Sequence, residues 1–252
     1  MARVSVITIV KDHRAGLEAT YQSLLEQSFN DWEMVIVVGL SSDATLTVAQ
    51  DLQRIESRIL LLEQSGSGIY QAMNEGLRAA SGEFTWFMNA GDRFASTTVL
   101  AHAVDCISNN KVGAIIGGYS IESSSQNKAY SYSPRDMTSL SFAFTRRGGC
   151  HQAMIFRTSI LKDLGAFNTS YSLAADFDLV LRVIQNSKAR RVSEIYASIE
   201  PGGRADQGIF LVHNQKHQIR KNLLGGPVVL FASFFWTALA RIKIILRQAI
   251  KH

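Results

Sequence analysis

The first 116 residues alternate between short apolar runs and longer segments with helical periodicity. The run VSVITIV at 4–10 is rich in β-branched residues, which is typical of a strand covered on both faces. Further apolar runs predict four more strands, at 33–38, 59–62, 84–88 and 112–116. Such alternation of strands and helices predicts an α/β, Rossmann-like architecture, in which a mostly parallel sheet with right-handed crossovers carries helices on both faces.

The pattern changes after residue 117. The segment 117–133 predicts a hairpin with a Ser-rich tip, and the stretch that follows, up to about Arg147, predicts little regular structure. Beyond it the sequence predicts two strands and two helices: strands at 151–157 and 190–200, a short helix that ends at Gly165, and a helix at 174–185 with acids in its first turn.

The composition, 46% hydrophobic and 19% charged, is that of a folded protein. The charge is uneven, because 207–252 contain seven Lys or Arg and no acid, while the other residues carry 19 basic and 21 acidic groups, a net charge of −2. We therefore expect a folded domain at 1–206 and a basic helical region at 207–252. Cys106 and Cys150 form no spacing motif, which favours reduced thiols in the cytoplasm. The sequence of the N-terminus does not predict a secretory signal.

The tail at 227–252 combines basic residues with a clustered aromatic front. Its uncharged stretch, 228–240, is shorter than the roughly 20 residues that span a bilayer. An amphipathic helix lying in the membrane plane fits this pattern, and a helix packed on the body or on a second subunit is the alternative. Nucleic acid is disfavoured, because the aromatic residues are not interleaved with the basic ones.

Three segments contain residues suited to chemistry. In QSGSGIYQAMNEG, at 64–76, glycines precede a helix and could let backbone N–H groups approach a phosphate. The segment lacks the third glycine of a dinucleotide fingerprint and does not follow the first strand, which argues against a nicotinamide-dependent oxidoreductase.

The other two segments supply carboxylates. Asp92 lies just past the strand at 84–88, where ligands bind in parallel sheets, and it is either a turn residue or a ligand for a hard cation that carries a diphosphate. Asp176 and Asp178 are two residues apart on a helix, so at most one of them faces a cleft and the other is expected to be solvated or capping. A lone His151 is by itself more often structural than a ligand.

Taken together, these segments resemble the inverting family-2 glycosyltransferases, which have the GT-A nucleotide-diphosphosugar transferase fold. The resemblance covers about residues 3 to 185 and rests on the order of VSVITIV, SSDAT, GIYQAMNEGLRAASGEFTWFMNAGD, GGCHQAMIFRTSILKDLGAFN and AADFDLVLR. It implies a metal-dependent hexosyltransferase, with a nucleotide-sugar half at 1–116 and an acceptor half at 117–206.

The resemblance also implies roles for individual residues. Asp176 matches the catalytic base, and Asp92 matches the last acid of the motif that binds Mg²⁺ or Mn²⁺. His151 and Gln152 match a pair on the acceptor side. The nucleotide-sugar is implied to lie against a larger set: Thr8, Val10, Ser41, Asp43, Gly68, Tyr70, Asn74 and Asn89.

The sequence departs from the family pattern in three places, one of which is Met73, where many members have Arg. Val38 and Gly39 stand where the family often has an acid that reads the nucleobase. Asn89 and Gly91 stand where acids are frequent in the metal motif, so Asp92 is the one carboxylate left there.

The implied partners are a nucleotide-diphosphosugar donor and a glycan or lipid-linked acceptor of bacterial cell-surface glycan synthesis, reached from the cytoplasmic face of the membrane. A non-catalytic binding module with the same fold is the alternative, and a homo-oligomer remains open.

Overall fold

A computed structural model describes residues 2–121, 128–130, 135–144, 150–202 and 209–226 of the 252-residue chain. The strands are β1 Val4–Val10, β2 Trp32–Val38, β3 Ile59–Glu63, β4 Phe84–Phe87, β5 Arg93–Phe94, β6 Ala114–Ile121, β7 Lys128–Tyr130, β8 Arg135–Met137, β9 Met154–Arg157 and β10 Ala189–Ile199. The helices are α1 Arg14–Leu25, α2 Thr45–Ile55, α3 Ile69–Ala79, α4 Val99–Asn109, α5 Ser139–Ala143, α6 Thr158–Asp163, α7 Ala175–Asn186 and α8 Ile209–Leu224, with a short 3-10 helix at His151–Ala153.

The strands form one sheet in the order β3-β2-β1-β4-β9-β6-β10-β5, with β7 paired to β6 and β8 to β10. Strands β3, β2, β1 and β4 are parallel to one another, as are β6 and β10, whereas β9 runs antiparallel between β4 and β6. The expected α/β architecture with a mostly parallel sheet is therefore confirmed. The periodicity did not reveal that β9, from the second half of the chain, separates β4 from β6.

Two hydrophobic clusters cover opposite faces of the sheet. Alternate residues of β1 point into different clusters: Val6 packs with α1, α2 and α4, and Ile7 packs with α3, α6 and α7. Both faces of β1 are thus buried, which explains its continuous apolar sequence. This packing fixes the carboxyl ends of β1 and β4 side by side and positions the loops that follow them.

Several details of the second half differ from expectation. Residues His151–Ala153 form a 3-10 helix instead of the start of a strand, and the stretch expected to be irregular contains β8 and α5. The predicted hairpin is confirmed by the pairing of β6 with β7, and its tip lies outside the described residues. Gly165 follows α6 with φ +77°, as expected for a glycine that ends a helix.

Helix α8 packs on the body of the domain. Ile219 is fully buried, Arg220 Nε donates to Ala143 O at 2.8 Å, and Gln185 Nε2 donates to Leu223 O at 2.8 Å. The predicted amphipathic segment at 227–252 lies outside the described residues. Among the helices that the structure describes, none is long and apolar enough to cross a membrane.

Candidate active site

The Asn-Ala-Gly-Asp loop follows β4 and is tied to helix α1. Thr20 Oγ1 donates to Asp92 O at 2.7 Å, and Gly91 N donates to Gly16 O at 3.0 Å. Gly91 has φ +99°, and a Cβ there would overlap the Glu200 carboxylate. The positive φ therefore favours glycine at this turn, which explains why no acid stands at position 91.

The Asp92 side chain is buried, with 5% of the residue exposed. Its Oδ1 accepts a hydrogen bond from Glu200 N at 3.0 Å and its Oδ2 accepts one from Gln152 Nε2 at 3.0 Å. Burial raises the pKa of Asp92 to about 6, because these neutral donors offset only part of the desolvation. The part of the chain that the structure describes offers Asp92 no ion pair with a basic side chain.

The segment Cys150–His151–Gln152 lies between the two acids. Gln152 contacts Asp92, while His151 Nδ1 lies 3.5 Å from Asp176 Oδ2. Cys150 Sγ donates to Gln152 Oε1 at 2.7 Å, which leaves the amide nitrogen of Gln152 facing Asp92. Burial raises the pKa of the Cys150 thiol, so the sulfur keeps the proton that it donates.

Asp176 lies in the first turn of α7, and 28% of its side chain is exposed. Tyr70 OH donates to its Oδ1 at 3.3 Å, and Phe177 N donates to the same oxygen at 2.8 Å. Burial by itself would raise the pKa of Asp176, but His151 and the more distant Lys216 outweigh it and hold the pKa below its usual range. Asp176 is therefore an ionised, accessible carboxylate, as a general base requires.

Asp178 does not have the solvated or capping position that its spacing suggested. It is 4% exposed, and its Oδ2 lies 2.8 Å from Arg182 Nε and 2.7 Å from Arg182 NH2. Arg182 also donates to Leu164 O and Ala166 O. The expectation was wrong because neighbouring helices cover this side of α7 as well. Asp178 therefore fixes α7 to the loop after α6.

Two residues expected near the donor instead hold the chain in place. The amide of Asn74 exchanges two hydrogen bonds with the Phe167 backbone, each 2.9 Å long. Asp43 Oδ1 accepts from Thr45 N at 2.9 Å at the start of α2. Both side chains thus have structural partners, and contact with a nucleotide stays a prediction for them.

The other predicted donor residues lie along the same edge of the sheet. Gly68 has φ +93° and opens α3 with free space around its Cα. The Tyr70 hydroxyl donates a hydrogen bond to Asp176, as described above. Asn89 presents a buried Oδ1 that accepts no hydrogen bond.

Strand β1 contributes Thr8 and Val10. Thr8 is fully buried in the sheet and Val10 is 5% exposed, so a nucleotide can approach β1 only at its carboxyl end. Ser41 lies in the neighbouring turn and accepts from Asp12 N at 3.1 Å.

Several residues that the sequence did not single out help to build the site. Asp12 Oδ1 accepts from Ser42 N at 2.6 Å, joining the end of β1 to the Ser41–Asp43 turn. Glu200 and Cys150 act on Asp92 as described above. No local pattern predicts the contacts of Asp12 and Glu200, because each joins the ends of segments that only the folded sheet brings together.

Known proteins resemble this chain in sequence and in fold. The model of glycosyl transferase family 2 matches residues 5–165. A PGL/p-HBAD biosynthesis glycosyltransferase of Mycobacterium tuberculosis is 28% identical over 186 residues, which is 72% of this chain and 70% of the relative. The putative teichuronic acid biosynthesis glycosyltransferase TuaG of Bacillus subtilis is 36% identical over 92 residues, 36% of each chain.

Solved structures show the same fold at lower identity. S. aureus TarS 1-349 in complex with UDP superposes with a TM-score of 0.71 at 19% identity, over 91% of this chain and 70% of TarS. The mannosyltransferase PcManGT from Pyrobaculum calidifontis, in complex with GDP-Man and Mn²⁺, superposes with a TM-score of 0.70 at 17% identity, over 99% of this chain and 76% of PcManGT. The family match covers more than half of the chain. The protein therefore belongs to glycosyl transferase family 2 and is a nucleotide-sugar glycosyltransferase with the GT-A fold.

Proposed function

We propose that this glycosyltransferase inverts the anomeric carbon of its donor sugar, with Asp176 as the general base. The observation that carries the proposal is the placement of two unlike acids on either side of one segment, Cys150–Gln152. Asp176 is partly exposed and electrostatically stabilised as a carboxylate, whereas Asp92 is buried among neutral donors.

In the proposed step, the oxygen of an acceptor hydroxyl forms a bond to the anomeric carbon as the bond from that carbon to the diphosphate breaks. The nucleoside diphosphate leaves with the bonding electron pair, and the hydroxyl proton passes to Asp176. Inversion requires the base and the leaving group to lie on opposite sides of the sugar. Asp176 and Asp92 contact different residues of the Cys150–Gln152 segment, and this placement on either side of it supports that arrangement.

We also propose that the loop after β4 holds Mg²⁺ or Mn²⁺ together with the donor diphosphate. The residues fit a hard cation, because Asp92 is a buried carboxylate without a basic partner among the described residues, and the buried Asn89 Oδ1 accepts no hydrogen bond. Such ions accept one or two protein oxygens and complete their shell with phosphate and water. When bound, the ion would neutralise charge on the departing diphosphate.

The names of the relatives support a proposal about substrates. We propose a hexosyl donor and an acceptor that is a lipid-linked or polysaccharide precursor of a bacterial cell-surface glycan, consistent with the PGL/p-HBAD and teichuronic acid relatives. The nucleobase is open, since UDP accompanies one structural neighbour and GDP-Man another. No observation favours the non-catalytic alternative.

The donor is identified by a thermal-shift screen of UDP-, GDP- and dTDP-sugars with and without Mn²⁺, since a ligand of the folded state raises the melting temperature. The matching nucleotide is expected to stabilise the protein more when Mn²⁺ is present. A nucleotide that binds well but is never released from its sugar, with any acceptor offered, would favour the binding module.

The base is tested by comparing Asp176→Asn with Asp163→Asn, a change of the same type at an exposed position on α6. We expect Asp176→Asn to abolish sugar transfer while nucleotide binding persists, and Asp163→Asn to retain both. A kcat of the Asp176→Asn variant close to that of the wild-type protein would overturn the assignment.

We further propose that residues 227–252 dock the enzyme on the cytoplasmic face of the membrane, because their basic and aromatic composition suits an anionic lipid surface. Deleting them should abolish sedimentation with vesicles that contain anionic lipid. A folded deletion variant with unchanged vesicle binding would contradict this proposal.

A further inference from the structure

Helix α8 contacts the chain immediately before the proposed base. Gln215 Oε1 accepts a hydrogen bond from Leu173 N at 3.0 Å, and Gln215 Nε2 donates to Ser172 Oγ at 3.1 Å. One side chain thus holds two consecutive residues of the loop that leads into α7. Because Asp176 lies only three residues after Leu173, the position of that loop decides where the carboxylate points.

The next residue of α8 contacts the chain immediately after the base. Lys216 Nζ lies 5.1 Å from the centroid of the Phe177 ring, and Phe177 directly follows Asp176. Lys216 makes no ion pair at contact distance with any described residue, and Asp176 is the acid whose charge acts on it. Gln215 thus contacts the chain just before Asp176, and Lys216 contacts the residue just after it.

We propose that α8 belongs to the catalytic apparatus, with Gln215 as a positioning residue for the Asp176 loop and Lys216 as the cation that stabilises the Asp176 carboxylate. The inference rests on the proposed role of Asp176 as the base. Helix α8 lies beyond the residues that the family model matches, 5–165. A family match that ends at residue 165 would therefore not reveal that the base depends on this helix.

Four groups face Asp176 from the elements around it. Tyr70 approaches from α3, His151 from the 3-10 helix, and Lys216 from α8, while the buried thiol of Cys150 lies farther away. Burial lowers the pKa of Lys216, and the negative charge of Asp176 opposes that shift by favouring the charged ammonium.

The charge is tested with Lys216→Met, which keeps the length of the apolar stem, and Lys216→Arg, which keeps the charge. Lys221→Met is the matched control, because Lys221 is an exposed lysine on the same helix. The Asp176 carboxyl is followed by carbon NMR against pH, with its signal identified by its loss in Asp176→Asn. We expect Lys216→Met alone to move the titration of Asp176 to higher pH.

The positioning role is tested with Gln215→Ala against Gln218→Ala, since Gln218 is an exposed glutamine of the same helix. Gln215→Ala should lower kcat by about tenfold through a misplaced base, with nucleotide affinity unchanged within twofold. Lys216→Met should lose several-fold more activity at pH 5.5 than at pH 8. Gln218→Ala and Lys221→Met should stay near the wild-type protein, and Lys216→Arg should recover part of the activity that Lys216→Met loses at pH 5.5.

The NMR titration needs no substrate, so it separates this inference from the proposed function. An unmoved Asp176 titration in a folded Lys216→Met variant would overturn the role of Lys216, even if Asp176 is the base. A loss of nucleotide affinity with an unmoved titration would make Lys216 a donor ligand and would also overturn it. Unchanged kcat in Gln215→Ala would overturn the positioning role, whereas a near wild-type kcat in Asp176→Asn would overturn the base itself.

Discussion

The loop after β4 and the start of α7 each present one carboxylate to the site, in opposite electrostatic surroundings. Asp92 is buried among neutral donors, and desolvation raises its pKa to about 6. Asp176 is partly exposed beside His151, with Lys216 farther off, and its pKa is held below the usual range despite burial. An acid whose desolvation the protein offsets only in part is suited to bind a cation, whereas an acid that the protein already stabilises as a carboxylate is suited to act as a base.

The largest expected effect separates the two acids by their chemistry. Asp176→Asn should lower kcat by about a thousandfold, because general base catalysis contributes on that order. Its Mn²⁺-dependent nucleotide binding should be unchanged. Asp92→Asn should instead remove the Mn²⁺ dependence of nucleotide binding, measured by calorimetry with and without a chelator. An equal loss of metal-dependent nucleotide binding in both variants would contradict the assignment of different roles to Asp92 and Asp176.

A second prediction separates Asp176 from its neighbour Asp178, which is also an acid of the first turn of α7. Asp178→Ala should destabilise the fold by about 3 kcal/mol, since it leaves the largely buried Arg182 without its partner. Chemical denaturation measures this loss, and kcat per folded molecule should be retained. Asp51→Ala is the control, because Asp51 forms an exposed pair with Arg54 and should cost less than about 0.5 kcal/mol.

The raised pKa of Asp92 predicts a pH dependence of metal binding. A carboxyl with a pKa of about 6 is mostly protonated at pH 5 and mostly ionised at pH 7. Because a metal ion must displace the proton, Mn²⁺-nucleotide affinity should be about tenfold weaker at pH 5 than at pH 7. Asp92→Asn should abolish this difference, and a pH dependence that persists in the variant would assign it to another group.

The raised pKa of Asp92 also predicts that folding stability changes with pH in the direction opposite to metal binding. The folded-state pKa of Asp92 lies above its ordinary value of 3.8, so the protonated acid favours folding. Without metal, this group's stabilising contribution is therefore present at low pH and is lost as the pH rises through about 6. Mn²⁺ and nucleotide should recover stability at pH 7, as a thermal melt in each buffer would measure.

The smallest expected effect concerns the thiol of Cys150, which orients the Gln152 amide toward Asp92. Cys150→Ala removes the donor to Gln152 Oε1, so the amide of Gln152 is free to turn its oxygen toward Asp92. Mn²⁺-nucleotide binding should weaken by about fivefold, the effect of one lost hydrogen bond of roughly 1 kcal/mol. Cys150→Ser keeps a donor and should bind nearly as well as the wild-type protein. Equal affinity of all three proteins would remove Cys150 from the site.

Much of the first half was predictable from local pattern. Strand β1 occupies the predicted residues, Val4–Val10, and the next strands and helices differ by a few residues at their ends. These elements follow from apolar periodicity that each segment carries in itself. The second half was less predictable, since β9 enters the sheet between β4 and β6 and pairs antiparallel with both. A short apolar run does not specify which strand it will pair with.

The sequence by itself determined the alternation of strands and helices, the family, and the presence of Asp92 after β4 and of Asp176 at the start of α7. Only the tertiary structure decided the burial, the hydrogen bonds and the neighbouring charges of each acid. Gln152 and Glu200 reach Asp92 across 60 and 108 residues of chain, and Gln215 reaches Leu173 across 42. The reason is physical: periodicity is a local property, whereas desolvation, hydrogen bonding and charge depend on which distant segments the sheet brings together.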